Sequence, residues 1–209
     1  MTSSYLIDGE NNAPLFLFAH GAGAGMDHGF MQQVAAGLAS NGIKVVRFNF
    51  PYMVKRAEDG KKRPPDRAPK LLEAFEQVIV EHSTVPIVIG GKSMGGRMAS
   101  LLGDHPLVAG IACLGFPFHP PGQPEKYKGE QLASLTKPCL ILQGERDTFG
   151  KREEFAEFSL ADSVKTVFIP DGDHSFKPRK SSGYTEADNI ALVVEVLTQF
   201  IFEVNNESQ

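Results

Sequence analysis

The sequence predicts an α/β fold built on a doubly wound, mostly parallel β-sheet. Short apolar runs of strand length alternate with segments of helix length along nearly the whole chain, as in strands joined by crossover helices. Most of these runs are continuously apolar, which is typical of strands that helices cover on both faces. With 209 residues, of which 42% are hydrophobic, the chain is most economically a single domain, residues 1–209, with a substantial core.

The first predicted unit is a strand, a helix and a second strand. Residues 14–19 (PLFLFA) and 43–48 (IKVVRF) are the strands, and residues 31–40 suit the helix between them. Asn41 and Gly42 end that helix, because both residue types tolerate the left-handed conformation of a cap. The two strands are therefore expected to lie parallel in the sheet.

A long loop is predicted after the second strand, and a helix after the loop. Gly60 and the Pro64-Pro65 pair interrupt any regular pattern in residues 50–67. Residues 68–82 predict a helix, because apolar side chains recur there at the spacing of one helical face. These side chains are Leu71, Leu72, Phe75, Val78 and Ile79.

The second half of the chain predicts three further strands and a closing helix. The strands are residues 108–115, 138–143 and 164–169, and a rigid, proline-rich loop occupies residues 116–124. The helices are a short one at residues 153–158 and a long one at residues 185–202, and residues 203–209 are expected to fray. Cys113 and Cys139 fall in two of the strands, where reduced core thiols are the expected state.

Residues 85–100 (VPIVIGGKSMGGRMAS) carry the motif around which the chain is organised. A buried strand at residues 85–89 leads into a glycine-rich turn and a helix, and the turn contains a G-x-S-x-G sequence centred on Ser93. This setting predicts a nucleophile elbow, a strained turn that lifts the serine hydroxyl above the sheet. Glycines are needed because side chains there would keep strand and helix apart. The amide of Met94, at the start of the helix, is left free to stabilise an oxyanion.

A base and an acid for Ser93 are expected in loops that leave the carboxyl ends of neighbouring strands. His174 follows the last strand, and Asp147 follows the strand before it. The histidine would take the serine proton, and the carboxylate would hold the histidine in the required tautomer. Asp171 and Asp173 compete with Asp147 for this role. They lie too close to His174 in sequence to reach its far nitrogen from a separate strand.

The glycine-rich loop at residues 20–25 (HGAGAG) is the expected second half of the oxyanion hole. Its donor is assigned as the amide of Ala22, which would act together with the amide of Met94. A glycine-rich turn needed only for packing is the alternative.

No cofactor or metal is expected. A P-loop would need glycine at the position of Pro86, and a dinucleotide-binding fingerprint would need glycine at the position of Met26. His20, Asp27 and His28 show no recognised ligand spacing. We expect them to hold the glycine-rich loop by hydrogen bonds.

The predicted loop at residues 50–67 is rich in basic side chains. Arg56 and Arg63 are candidates for binding an anionic part of a substrate, because the loop leaves the carboxyl edge of the sheet. A solvated, mobile surface loop is the alternative and the more usual meaning of such a charge run. His119, in the proline-rich loop, is a further candidate substrate contact and a weaker alternative base.

Four stretches together resemble the α/β-hydrolase superfamily. They are HGAGAGMDH at residues 20–28, FPYM at residues 50–53, RPPD at residues 63–66 and GKSMGGR at residues 91–97. The order Ser93, Asp147, His174 is also that of the superfamily. The chain looks most like compact, lidless members near the dienelactone hydrolases. It is similar to a family that takes in bacterial predicted hydrolases and a regulatory subunit of a histone-acetyltransferase complex.

The resemblance implies an α/β-hydrolase fold without a cap domain and with reduced N-terminal strands, of which residues 5–7 are the expected remnant. Together with Ser93, Asp147 and His174, it implies a serine hydrolase that acts on a small ester or thioester. Dienelactone hydrolases carry cysteine where this chain has Ser93, so their substrate is not implied. A non-catalytic scaffold protein on the same fold is the alternative.

The net charge and the hydropathy of the sequence limit which partners and which location are expected. A net charge of −4 gives no reason to expect nucleic acid or an anionic membrane as a partner. The first residues lack the pattern of a signal peptide, and no apolar run reaches membrane-spanning length. We therefore expect a cytoplasmic protein whose partner is a small-molecule ester or thioester.

Overall fold

The computed structural model describes residues 4–207, which form a seven-stranded sheet. The strands are Leu6–Asp8 (β1), Leu15–Ala19 (β2), Lys44–Phe48 (β3), Ile87–Lys92 (β4), Val108–Leu114 (β5), Cys139–Gly144 (β6) and Val164–Ile169 (β7). Their order across the sheet is β1-β3-β2-β4-β5-β6-β7. Neighbours are parallel except β1, which pairs antiparallel with β3. The predicted fold class is confirmed, and β1 is the expected N-terminal remnant.

Helices cover both faces of this sheet. In the described part of the chain they are Gly29–Ser40 (α1), Pro51–Asp59 (α2), Ala68–His82 (α3), Met94–Leu101 (α4) and Glu186–Glu207 (α5). Short 3₁₀ turns lie at Glu130–Ala133, Arg152–Glu157 and Lys180–Ser182. In β4, Ile87 and Ile89 join the core beneath α3 and α4, whereas Val88 joins the core beneath α1 and α5. Burial on both faces explains why the strands are continuously apolar.

The prediction of a loop directly after residue 50 is wrong, because residues 51–59 form α2. Pro51 lies in the first helical turn, where its missing N–H is not needed, and Gly60 ends the helix in a left-handed conformation with φ 69°. Tyr52 and Met53 are buried beneath the helix. Proline at the start and glycine just past the end are helix boundaries here rather than loop signals. The loop is therefore limited to residues 60–67.

Three smaller predictions also need correction or comment. The helix predicted at residues 153–158 is a 3₁₀ turn, Arg152–Glu157. The predicted fraying is wrong as far as residue 207, because α5 continues and buries Val204 against Gly110 of β5. The predictions made for residues 1–3 and 208–209 lie outside the described residues.

Three further features of the fold concern the β5–β6 connection, the two cysteines and the helices. Residues 115–138, which join β5 to β6, contain one 3₁₀ turn and no separate cap domain. Cys113 and Cys139 are buried free thiols on these two neighbouring strands. Within residues 4–207, no helix has both the length and the apolar character needed to cross a membrane.

Candidate active site

Ser93 lies on a strained turn between β4 and α4. Its backbone has φ 51° and ψ −116°, and it is one of three non-glycine residues with positive φ among those described. Such a conformation costs about 1–3 kcal/mol and is found mainly at functional sites. The N–H of Ser93 donates to the carbonyl of Leu114 at 2.9 Å, which fixes the turn against β5.

Gly91 and Gly95 make this turn sterically possible. A Cβ atom on Gly91 would lie 2.4 Å from the carbonyl carbon of Gly95. A Cβ atom on Gly95 would lie 2.6 Å from the carbonyl oxygens of Ala19 and His20. Backbone atoms cannot move aside as a flexible side chain can, so both motif positions require glycine.

Ser93, His174 and Asp147 form a hydrogen-bonded chain. The Nε2 atom of His174 lies 2.9 Å from Oγ of Ser93, and its Nδ1 atom lies 2.8 Å from Oδ2 of Asp147. Because a carboxylate only accepts, Nδ1 donates the proton and Nε2 is left to accept from the serine hydroxyl. Asp147 is fully buried and also accepts from the N–H of Phe149 at 2.9 Å and the amide of Gln143 at 3.2 Å. The structure thus brings together the three side chains that the sequence assigns as nucleophile, base and acid.

Two further side chains hold His174 in place. The Nζ atom of Lys92 donates to the backbone carbonyl of His174 at 2.6 Å. The ring of Phe149 lies against the imidazole, with 4.3 Å between the ring centroids. Since Lys92 ends β4 and directly precedes Ser93, its hydrogen bond connects the end of this strand to the loop that carries His174.

The ammonium of Lys92 is enclosed by aromatic rings. It lies 5.7 Å from the ring centroid of Phe30 and 6.0 Å from that of Phe176. Burial lowers the pKa of Lys92 to about 8, although the charges of Asp147 and Asp173 act in the opposite direction. The cation–π contacts compensate in part for the lost hydration of the charge.

The glycine-rich loop is held by its carbonyl groups. The hydroxyl of Tyr52 donates to the carbonyls of Gly21 at 3.2 Å and Ala22 at 2.9 Å, and Nδ1 of His20 donates to Gly21 at 2.7 Å. A trans peptide points its C=O and N–H in opposite directions. The amide of Ala22, which shares a peptide plane with the carbonyl of Gly21, is therefore turned away from Tyr52. Burial raises the pKa of Tyr52 to about 12, so its hydroxyl stays a donor.

His20 is buried in a single neutral form. Its Nδ1–H donates to Gly21, and its Nε2 accepts from the N–H of Phe50 at 3.0 Å. Burial lowers the pKa of His20 to about 4, against the smaller opposing effects of the Gly21 hydrogen bond and the charge of Asp27. Both ring nitrogens are occupied, so His20 joins the glycine-rich loop to the start of α2. In the described part of the chain, no three His, Cys, Asp or Glu side chains are placed to hold a metal ion.

His20 is expected to make stability depend on acid pH. Its pKa falls from 6.5 to about 4 on folding, so its contribution is complete above pH 6.5 and is lost as pH falls towards 4. The free energy of unfolding should decrease by about 3 kcal/mol over this range. The variant His20→Gln keeps a donor and an acceptor without titrating, and should lack this component. Urea unfolding of both proteins from pH 7 to pH 4 measures the difference, and identical pH dependence would contradict the assignment.

A cavity of about 310 Å³ opens beside Ser93. Residues 21–24 of the glycine-rich loop form one wall, and His174 and Ser175 contribute to another. The remaining lining residues are His28, Phe30, Met31, Lys92 and Phe149. A larger groove of about 890 Å³ lies between α1 and α5 and contains none of these residues.

Of the other predicted substrate contacts, the two arginines lie beside the glycine-rich loop, whereas His119 does not line the cavity. Arg56 and Arg63 line a second cleft that borders the glycine-rich loop. His119 is buried, and its ring nitrogens contact the carbonyl of Pro120 at 2.9 Å and the carboxylate of Glu154 at 3.0 Å. It is not among the residues that line the cavity, and both nitrogens are engaged, so the structure does not bring His119 to Ser93.

Sequence reasoning missed three residues that shape the site: Lys92, Tyr52 and Phe149. Strand alternation contains a signal for Lys92, because it lies four residues after Val88, an even number, and so points to the same face, towards α1 and α5. Tyr52 lies in the segment whose sequence predicts a loop, and only the helix explains its position beneath the glycine-rich loop. Phe149 follows Asp147 in a turn that has no distinctive sequence signal.

Comparison with known proteins places the chain in a family. A family model described as an alpha/beta hydrolase domain matches residues 12–202, so the chain belongs to the α/β-hydrolase family. Its predicted membership of this superfamily, as a compact member, is confirmed. The chain therefore has both the family and the fold of the α/β-hydrolases.

Several solved structures share this fold over nearly the whole chain. Est1E from Butyrivibrio proteoclasticus, solved with ferulic acid, is 17% identical, with 97% of this chain and 95% of that chain covered and a TM-score of 0.72. A dienelactone hydrolase from Anabaena variabilis is 18% identical, with coverages of 95% and 90% and a TM-score of 0.72. An alpha-beta serine hydrolase homologue from Coxiella burnetii is 19% identical, with coverages of 93% and 89% and a TM-score of 0.68. At these identities the likeness is one of fold.

Proposed function

We propose that this chain is a serine hydrolase that cleaves a small ester or thioester through an acyl-enzyme intermediate. The proposal rests chiefly on the hydrogen-bonded chain from Ser93 through His174 to the buried Asp147. The strained turn at Ser93 is of the kind kept at functional sites. Family membership, and a fold shared with an esterase domain and a thioesterase domain, support the same class of reaction.

In the first half of the reaction, Oγ of Ser93 attacks the carbonyl carbon while Nε2 of His174 takes the hydroxyl proton. Asp147 stabilises the imidazolium, because it continues to accept from Nδ1. The carbonyl oxygen becomes an oxyanion that accepts from the amides of Ala22 and Met94. Met94 is the first residue of α4, so its N–H has no acceptor within the helix.

In the second half, the tetrahedral intermediate collapses and His174 gives its proton to the leaving alcohol or thiol. A water molecule then attacks the acyl group on Ser93, with Nε2 of His174 again accepting the proton. Return of that proton to Oγ frees the acid. Each turnover consumes one ester or thioester and one water, and yields one acid and one alcohol or thiol.

The cavity beside Ser93 predicts a preference for short acyl chains. Its volume of about 310 Å³ lies at the lower end of the range of about 300–1,000 Å³ for ligand pockets. For p-nitrophenyl esters, kcat/KM should be highest for acetate to butyrate and fall about tenfold or more for long chains. A kinetic series from acetate to decanoate tests this. A kcat/KM that rises steadily with chain length would contradict it.

A further inference from the structure

A second cleft, of about 420 Å³, borders the active-site cavity. Ala22 and Gly23 of the glycine-rich loop line both spaces. The other side of the cleft comes from α2 and the loop that follows it. Those residues are Arg56, Lys62, Arg63 and Pro64. A substrate that is held at the oxyanion hole would therefore reach the cleft across Ala22 and Gly23.

The charges of the cleft are unequal. Arg63 is paired with Asp59 through two hydrogen bonds of 3.0 and 2.7 Å, so its charge is locally balanced. Arg56 donates to the carbonyl of Gly23 at 3.2 Å, which leaves its charge without a carboxylate. Among residues 4–207, neither Arg56 nor Lys62 forms an ion pair. The cleft thus holds a surplus of two positive charges.

No carboxylate lines the cleft, although the charges of Asp66 and Glu58 act on Arg63 from outside it. Asp66 pairs with Lys70 at 2.9 Å. Glu58 lines a different groove, between α2 and α3. The loop itself is fixed near Lys62, because Asp59 accepts from the N–H of Lys61 at 2.9 Å.

We propose that this cleft binds an anionic group, a carboxylate or a phosphate, on the leaving-group part of the ester. The proposal rests on the function proposed above. Phe30, Met31 and Phe149 make the cavity beside Ser93 suitable for an acyl chain, so the charged cleft on the other side of the loop takes the alcohol or thiol part. Arginine donates to carboxylates and phosphates in a planar fork, and lysine adds a point charge. The substrate class is therefore a short-chain ester or thioester with an anionic leaving group.

The test compares esters that carry an anionic group on the leaving-group part with neutral esters that lack it. One pair is p-carboxyphenyl butyrate and its neutral match p-carbamoylphenyl butyrate, and the other is butyrylglycerol phosphate and butyrylglycerol. The readout is the ratio of kcat/KM for the anionic ester to that for the neutral ester. This ratio corrects for any general effect of a variant on catalysis. The pair with the larger ratio identifies whether a carboxylate or a phosphate is preferred.

The variant Lys62→Glu is the probe, and Lys61→Glu is its matched control. Both change the net charge equally, but Lys61 does not line the cleft. Lys62→Glu should lower the ratio about tenfold, and Lys61→Glu should leave it within about twofold of wild type. Added sodium chloride should lower the wild-type ratio, because the cleft is open to solvent. Equal ratios in wild type and Lys62→Glu for both pairs would overturn the proposal.

Binding to the variant Ser93→Ala separates this proposal from the proposed function. Calorimetric titration with butyrylglycerol phosphate needs no turnover, and binding that is weakened by adding Lys62→Glu would support the subsite even if no ester were hydrolysed. Hydrolysis of the neutral esters with no effect of Lys62→Glu on ratio or binding would overturn the subsite and leave the serine hydrolase intact.

Discussion

Replacing Ser93 with alanine is expected to lower kcat for a short aryl ester at least about 10⁴-fold. The hydroxyl is the only group of the hydrogen-bonded chain that forms a bond to the acyl carbon in the proposed mechanism. His174 and Asp147 have no nucleophile to activate without it. Release of p-nitrophenol from the acetate ester measures the loss. Urea unfolding of the same sample shows whether the fold is kept.

Ser93→Gly separates the chemistry from the strain of the turn. Glycine adopts φ 51° freely, so this variant should be more stable than Ser93→Ala by about 1 kcal/mol. Both variants should be equally inactive. An alanine variant that kept most of the wild-type rate would show that another group attacks the ester.

Replacing Asp147 with asparagine is expected to lower kcat about 10³- to 10⁴-fold. Asp147 accepts from three donors, the Nδ1–H of His174, the N–H of Phe149 and the amide of Gln143. An asparagine offers one oxygen and one NH₂, so one orientation turns the NH₂ towards His174 and the other turns it towards the N–H of Phe149. The first orientation forces the wrong tautomer, in which Nε2 carries the proton and cannot accept from Ser93.

Asp173→Asn is the matched control for this variant. Asp173 lies next to His174 in the chain, but its carboxylate accepts from the N–H groups of Ser175 and Lys177. Its loss should reduce kcat less than about tenfold, because its carboxylate makes hydrogen bonds to loop N–H groups and none to the imidazole of His174. Steady-state kinetics of both variants, with the pH profile of kcat, measures the contrast. Equal losses would show that Asp147 acts only on the stability of the loop.

The sheet and the central elbow are predictable from the sequence because their signals are local. Short runs that are mostly apolar define β2 to β7, and the glycine spacing around Ser93 reflects contacts among the turn itself, β2 and β4. Placing Asp147 and His174 required only that carboxyl ends of parallel strands share one edge. Each of these inferences uses a residue and its immediate chain neighbours.

Features that depend on distant contacts were not predictable. Tyr52 acts on the glycine-rich loop from α2, and the proline and glycine that bound this helix are equally typical of a loop. The contact of Lys92 with the carbonyl of His174 joins residues 82 positions apart, and no local pattern encodes it. The pairing of Arg63 with Asp59 spans only four residues, but it depends on how the chain turns at Gly60 as it leaves α2. Because Asp59 balances the charge of Arg63, the cleft residues without a carboxylate partner in the described part of the chain are Arg56 and Lys62.

Labelling with a fluorophosphonate tests the central claim most directly, because this reagent forms a stable bond with an activated serine nucleophile. Intact-mass measurement followed by peptide mapping should find one adduct on Ser93 of the wild-type protein and none on Ser93→Ala. Asp147→Asn should react far more slowly while remaining folded. A folded wild-type protein that stays unlabelled by several such probes, or carries the label at another residue, would contradict the account and favour a non-catalytic scaffold.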